Sequence, residues 1–293
     1  MTTTIGNLPQ VWSVLELVRY TTDYLGGKGI REPRLSAELL LADTLGLKRL
    51  DLYLRFDQPV GPDELAEFKA RLLRRARHEP LQYIAGHSDF RELRLKVDRR
   101  VLIPRPETEQ LVGEVLTWAT GRSGLVALEI GTGSGAIALS LAVEGPFDRV
   151  LATDLSDDAL DVARENHRTV AADSPVEFRS GPLFAPAAGE HFDVVVSNPP
   201  YVGEEERGQL DAEVLEWEPA LALFAGTGGL ELVTELVAAA PAHLRTGGLL
   251  ALEIGTTQGP RVVDLIAATG RFRDPRVVRD LAGHDRIVLA ESL

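Results

Sequence analysis

The sequence contains no cysteine. Disulfides, zinc–thiolate sites and thiol catalysis are excluded with it; the absence fits a reducing cytosol without fixing the compartment. Positive charge is also short: 31 Lys+Arg face 44 Asp+Glu, a formal net charge of −13. A protein that grips nucleic acid through phosphates carries a basic field. Here the global field repels polyanions and suits a basic protein partner. No apolar run approaches the roughly 20 residues that span a bilayer. Residues 1–6 have neither a positive n-region nor an apolar h-region, so no signal peptide is expected and the expected compartment is the cytoplasm. The six histidines, His78, His87, His167, His191, His243 and His284, form no ligand spacing, and no metal is expected.

What is present is an ordinary globular balance, 44% hydrophobic and 26% charged over 293 residues. That length suits one large α/β domain and a small one. Residues 1–85 read as helical. Val11, Val14, Leu15 and Val18 follow one helix face, with Gly26-Gly27 as the stop. A second helix carries Ala37, Leu40, Leu41 and Leu45. A third starts near Pro62 and buries Leu65, Phe68, Leu72 and Ala76. Its other face, Lys69, Arg71, Arg74, Arg75 and Arg77, reads as a solvated face or as a docking surface for an acidic patch. Glu79-Pro80 ends the unit, because the residue before proline disfavours the α region.

Residues 86–103 alternate Phe90, Leu93, Leu95 and Val97 with polar residues, the pattern of a hairpin linker. From 104 to 293, short apolar runs alternate with helical patterns. The runs are Leu125–Ile130, Val150–Thr153, Val176–Phe178, Phe192–Ser197, Leu249–Ile254 and Ile287–Ala290. They predict an α/β fold with a doubly wound, mostly parallel sheet covered on both faces. Leu-Glu-Ile-Gly-Thr occurs at 128–132 and again at 252–256. Only the first copy continues into Gly133-Ser134-Gly135, so no internal repeat is read.

Two segments carry chemistry. The first is the strand Leu125–Ile130 running into Gly131-Thr132-Gly133-Ser134-Gly135 and then Ala136, Ile137, Leu139 and Leu141. Strand, glycine turn and helix let a backbone approach a ligand with no Cβ in the way and offer the free N–H groups of a helix start. The loop alone also fits a dinucleotide fingerprint, so a nicotinamide or flavin enzyme stays open on this feature. Glu129 tips the balance: a carboxylate there repels a pyrophosphate and suits the ammonium of a methionine moiety. Asp154, ending Val150-Leu-Ala-Thr-Asp, accepts both hydroxyls of an adenosine ribose or, alternatively, caps a helix in competition with Ser156.

The second segment is the strand Phe192–Ser197 ending in Asn198-Pro199-Pro200-Tyr201. Tandem prolines donate no hydrogen bond and hold φ near −65°, so the Pro199 carbonyl is presented rigidly beside the Asn198 side-chain carbonyl. Two fixed acceptors hold the two hydrogens of one planar NH2, and Tyr201 offers a flat face. An amide nitrogen is a poor nucleophile whose attack on a methyl sulfonium needs alignment and dipoles aimed at growing positive charge, not a strong base. Asn198, Pro199 and Tyr201 are the candidate catalytic residues. A plain turn at a strand end is the bland alternative.

At this point the chain resembles the HemK-type protein-(glutamine-N5) methyltransferases that modify peptide chain release factors. The resemblance covers most of the chain, through Glu79-Pro-Leu-Gln-Tyr-Ile-Ala-Gly86, Leu102-Ile-Pro-Arg-Pro-Glu-Thr-Glu109, Glu129–Ala136, Ser197–Val202, Glu218-Pro-Ala-Leu221, Glu253-Ile-Gly255 with Gln258, and Gly283-His-Asp-Arg286. Asn-Pro-Pro-Tyr is shared with adenine-N6 methyltransferases; the Arg-Pro-Glu-Thr-Glu block is more particular. The resemblance implies a small helical amino-terminal domain, a hairpin linker and a seven-stranded class I S-adenosylmethionine-dependent methyltransferase (Rossmann-like) domain. It implies that Gly131, Thr132, Gly133, Ser134, Gly135 and Asp154 bind S-adenosylmethionine, released as S-adenosylhomocysteine, with Glu129 and Asn198 also at the cofactor. Asn198, Pro199, Pro200 and Tyr201 are then expected to hold the glutamine of a Gly-Gly-Gln motif, supporting translation termination. Arg105, Glu107 and Glu109 are expected to shape the pocket wall.

One departure stands out. Where the family shows Ser/Gly-Asp-Trp/Leu-Phe near the adenine, this chain reads Gly181-Pro182-Leu183-Phe184. Pro182 replaces the acid, and Leu183 is left to cover the ring. The expected partner is a release factor meeting the amino-terminal domain, with no direct nucleic acid, no membrane and a monomeric chain. The rivals are glutamine-N5 methylation of a ribosomal protein, adenine-N6 methylation, an NAD-linked enzyme, and a scaffold that has lost its chemistry. The adenine reading needs a basic channel or an added recognition domain.

Overall fold

The computed structural model describes residues 11–293, so the expectation for residues 1–6 lies outside the described residues. The chain divides into two compact units, residues 1–86 and 87–293.

In the first unit, a short strand β1 (Trp12–Ser13) pairs antiparallel with β2 (Pro59–Val60). Helix α1 (Val14–Gly26) opens on a capping box in which the Ser13 hydroxyl takes the Glu16 N–H and the Glu16 carboxylate takes the Ser13 N–H, satisfying two groups that the helix start leaves unpaired. Val11 precedes this helix and is exposed, so the helical face begins at Val14 and not at Val11. Next come α2 (Pro33–Thr44), α3 (Asp51–Leu54), α4 (Pro62–Arg75) and α5 (Leu81–Ala85). Val14, Val18, Leu40, Leu41, Phe68 and Leu72 share one core.

Two expectations need correction here. Pro80 does not end the unit: it caps the start of α5, whose Ile84 joins the same core. Nor is Arg75 part of a solvated face. It is buried, with Nη1 donating to the Glu79 carbonyl at 2.9 Å and Nε to the Ser36 hydroxyl at 3.4 Å. Arg77 lies in the turn after α4; the four cations within the helix cannot all share one side at 3.6 residues per turn, and the inward one needed partners to be tolerated. Lys69 and Arg77 are exposed; Arg74 pairs with Glu79.

The second unit starts with the hairpin β3 (His87–Phe90) and β4 (Leu93–Lys96). Phe90, Leu93 and Leu95 enter the core of this unit. Helix α6 (Pro106–Ala119) leads to the sheet. In chain order it continues β5 (Leu125–Ile130), α7 (Ala136–Glu144), β6 (Phe147–Asp154), α8 (Asp157–Val170), β7 (Val176–Ser180), β8 (Phe192–Ser197), α9 (Ala212–Trp217), α10 (Glu231–Ala239), β9 (Leu244–Glu253), α11 (Gly259–Ala268), β10 (Phe272–Arg279) and β11 (Asp285–Ser292). Spatially the order is β10-β11-β9-β8-β5-β6-β7. β11 runs antiparallel to both neighbours; the other pairs are parallel.

Both faces are buried. Ala127, Val194, Val196 and Ala251 point into one core with α6 and α7, while Leu128, Val195, Leu250 and Leu252 point into the other with α10 and α11. That two-sided burial explains why the strands read as continuous apolar runs. β10 was not among those runs. It is an edge strand with Pro275 and a register break between Arg273 and Arg276, and the proline and charges that protect such an edge also hide it from a hydrophobicity pattern. β6 and β7 leave β5 on one side and β8 and β9 on the other, which opens a crevice at the carboxyl ends of β5 and β8. Among the described residues no helix is long and apolar enough to cross a membrane.

Candidate active site

A cleft of about 410 Å³ lies in that crevice, inside the second unit. Its wall includes Glu129, Gly131, Thr132, Gly133, Ser134, Asp154, Pro182, Leu183, Asn198 and Pro200. Of the residues singled out from the sequence, Glu107, Glu109, Gly135, Pro199 and Tyr201 lie off this wall. Gly135 caps α7 at φ 85°, and a Cβ there would sit 3.1 Å from Leu139. Pro199 is buried, and no donor among the described residues reaches its carbonyl. Tyr201 turns its hydroxyl to Glu253 at 3.5 Å, and burial pushes its pKa up to about 12.

The β5 side is built locally. Gly131 and Gly133 take φ 77° and 55°, and a Cβ at either would meet no atom within 4 Å. The cleft wall there is bare backbone in a conformation that favours glycine. Gly131 and Thr132 both donate N–H to the Thr153 carbonyl, pinning the turn to the end of β6. Glu129 is buried at the end of β5, and its Oε2 accepts from the Thr132 hydroxyl at 2.6 Å and the Ala138 N–H at 3.0 Å. Burial is the largest influence and pushes Glu129 up to about 7, against those two hydrogen bonds and with the nearby Asp154 charge adding to the rise.

Asp154 accepts from Gly133 N–H through Oδ2 and from Ser156 N–H through Oδ1, each at 2.9 Å. Ser156, not Asp154, caps α8, by accepting from Ala159 N–H. Burial raises the Asp154 pKa against its backbone hydrogen bonds. Each carboxylate oxygen has a second lone pair available to a ligand.

The β8 side is built from distant residues. Asn198 Nδ2 donates to Thr108 Oγ1 at 3.0 Å; Thr108 Oγ1 donates to Glu253 Oε2 at 2.7 Å. Thr108 sits in the first turn of α6 and Glu253 ends β9. Burial pushes Glu253 up to about 7, opposed by Thr108, Arg286 and Tyr201 and reinforced by Glu107. Gln258 holds the segment after Asn198 by donating to the carbonyls of Tyr201 at 3.0 Å and Gly229 at 3.3 Å. Arg105 forms a 2.6 Å ion pair with buried Glu218, which fits a wall-shaping role. Glu109 instead accepts from Arg91 N–H of the hairpin.

The PrmC N-terminal domain model matches residues 16–86 and the Methyltransferase small domain model matches residues 110–218. A release factor glutamine methyltransferase from Chlorobaculum tepidum is 44% identical over 287 residues, covering 94% of this chain and 96% of the relative. One from Geobacter sulfurreducens is 40% identical over 280 residues, covering 96% and 97%. The chain belongs to the release factor glutamine methyltransferase family. Among solved structures, a methyltransferase from Pyrococcus furiosus shares the fold, with a TM-score of 0.53 and 22% identity over 76% of this chain and 96% of its own. The chain thus has the seven-stranded class I methyltransferase fold preceded by a helical amino-terminal domain.

Within this glutamine methyltransferase fold, the residues that sequence reasoning passed over are mostly polar and buried. Thr108 stood inside the quoted Arg-Pro-Glu-Thr-Glu block, yet only its charged neighbours drew notice. A small hydroxyl among charges at a helix start reads as solvent-facing until its 4% exposure is seen. Asn166 on α8 is fully buried and joins three groups: it accepts from Lys96 N–H and donates to the carbonyls of Lys96 and Ser134. Nothing in its sequence neighbourhood marks it.

Proposed function

We infer that this chain transfers the methyl group of S-adenosylmethionine to the side-chain amide nitrogen of the glutamine in the Gly-Gly-Gln motif of peptide chain release factors, acting in the cytoplasm as a monomer. The observation that carries this reading is that Asn198, at the end of β8, lines the same cleft as Glu129, Gly131, Gly133 and Asp154. The residues present fit the cofactor: bare glycine backbone for close approach, a buried carboxyl for an ammonium and a second carboxyl with open lone pairs for ribose hydroxyls. When bound, S-adenosylmethionine supplies an electrophilic methyl group on a sulfonium.

This chain's residues then orient the acceptor. The carbonyl oxygens of Asn198 and Pro199 accept from the amide NH2 and stabilise the positive charge that grows on its nitrogen. Holding the nitrogen in line lowers the barrier by roughly 7–11 kcal/mol in favourable cases. No strong base is required, since the nitrogen becomes acidic only as it is methylated. The helical amino-terminal unit is read as the part that docks the release factor. Family membership and the acidic charge of −13 both disfavour a nucleic-acid acceptor.

The test is transfer of labelled methyl to three acceptors: a release factor, its Gly-Gly-Gln→Gly-Gly-Asn variant, and a DNA/RNA mixture. Label in the intact release factor alone is expected. Label in nucleic acid, or equal label in the Asn variant, overturns the acceptor assignment.

A further inference from the structure

We propose that Thr108 and Glu253 form a positioning relay that fixes which end of the Asn198 amide faces the acceptor, and so makes the site read an amide donor. The proposal rests on the preceding reading of Asn198 as an acceptor for the substrate NH2. A hydroxyl has one hydrogen. Thr108 Oγ1 gives that hydrogen to Glu253 Oε2 at 2.7 Å, so toward Asn198 it can only accept. It accepts from Nδ2 at 3.0 Å, and the amide is thereby held with its NH2 end on Thr108 and its Oδ1 end turned from it. The relay spans three elements, β8, α6 and β9, and its two inner members are almost fully buried, Thr108 at 4% and Glu253 at 1% exposure.

The polarity depends on Glu253 being an acceptor only. An ionised carboxylate cannot donate; a protonated one, or a glutamine, can. With a donor at position 253, Thr108 is free to accept from it and to donate to Asn198 Oδ1. The amide then turns, and an NH2 faces an incoming NH2. The groups facing Glu253 are Tyr201 after β8, Arg286 on β11, and Thr108 and Glu107 on α6. Arg286 favours the ionised form, Glu107 and burial oppose it, and the carboxyl sits at about 7. The relay is therefore set above that pH and slackens below it. A carboxylate side chain in the substrate, as in a Gln→Glu release factor, has no hydrogen to offer Oδ1 and is rejected.

The test uses the full chain with labelled cofactor at saturation, which removes any contribution from titration of Glu129 to cofactor affinity. Variants are Thr108→Val, Thr108→Ser, Glu253→Gln and Asn198→Ala. Expected are a 10- to 100-fold fall in kcat/KM for the acceptor in Thr108→Val and Glu253→Gln, with cofactor Kd within about twofold of wild type. Thr108→Ser restores activity to within a few fold, because it keeps the hydroxyl. Wild-type kcat rises with pH through about 7, and Glu253→Gln, which is isosteric and keeps the fold, loses that rise. Wild-type activity in Thr108→Val, failure of Thr108→Ser to rescue, or an unchanged pH profile in Glu253→Gln overturns the relay. Loss in Asn198→Ala with none in Thr108→Val or Glu253→Gln overturns the relay alone. Full activity in Asn198→Ala overturns the acceptor reading and the relay with it.

Discussion

Leu-Glu-Ile-Gly-Thr is used twice, and the two copies do different work on either side of one strand. The first ends β5 and the second ends β9, with β8 between them. In both, the glutamate is buried at 1% exposure, sits near pKa 7 and accepts from a threonine hydroxyl. The difference lies in where the partners come from. Glu129 uses its own copy's Thr132 and the following Ala138. Glu253 uses Thr108 and Tyr201, from other parts of the chain. Gly131 takes a left-handed φ of 77° and opens the glycine turn, whereas Gly255 does not and binds Gln258 through its N–H. An identical peptide is thus given its role by what is packed against it.

The sharpest way to break this comparison is a crossed pair of isosteric changes. Glu129→Gln is expected to weaken cofactor binding about 10- to 100-fold, the loss of a charged hydrogen bond to an ammonium, with kcat at saturating cofactor little changed. Glu253→Gln is expected to do the reverse. Calorimetry and steady-state kinetics on both decide it; parallel loss of cofactor affinity would erase the distinction.

A second measurement follows from both carboxyls lying above their ordinary value of 4.5, at about 7. The folded protein holds protons that the unfolded chain has released between those values. The contribution of these two groups to stability is therefore fully present below 4.5, is lost as pH rises toward 7, and is flat above. The expected slope is about 1.4 kcal/mol per pH unit per group, read by denaturant unfolding at pH 5, 6 and 8. Each Glu→Gln variant should remove one group's share. Equal slopes in wild type and both variants would place the titration elsewhere.

Gly229→Ala comes next. Its φ is 67°, and a Cβ would stand 2.2 Å from the Tyr201 carbonyl. We expect about 1–3 kcal/mol of destabilisation and a fall in kcat with cofactor affinity intact, since the change touches only the β8 side. The smallest effect concerns the adenine end: Pro182→Asp should tighten cofactor binding a few fold. An unchanged dissociation constant in calorimetry would mean that the wall around Leu183 already recognises the ring without an acid.

The same contrast explains what was legible in the sequence. The β5 side could be read residue by residue because its hydrogen bonds close within a few positions or reach the next strand end: Glu129 to Thr132, Asp154 to Ser156 and to Gly133. The β8 side was legible only as the motif Asn198–Tyr201. Its support comes from Thr108 and Glu253, which are far away in the chain, and no periodicity couples positions so distant. Long apolar strands such as Phe192–Ser197 were plain for a similar reason, being local patterns buried on both faces. Edge strand β10 and the inward-turned Arg75 were not, because charge in a sequence does not say which way it points.

Asn166 ties the glycine turn to the hairpin. Its side chain takes the Lys96 N–H at 2.7 Å and gives a hydrogen to the Ser134 carbonyl at 2.9 Å. A fully buried amide cannot release one of these without leaving a buried polar group unpaired, which couples the two segments. In native-state hydrogen exchange the Lys96 amide of β4 should then report the opening of the glycine turn, and ligand that quiets the turn should slow exchange in a hairpin it never touches.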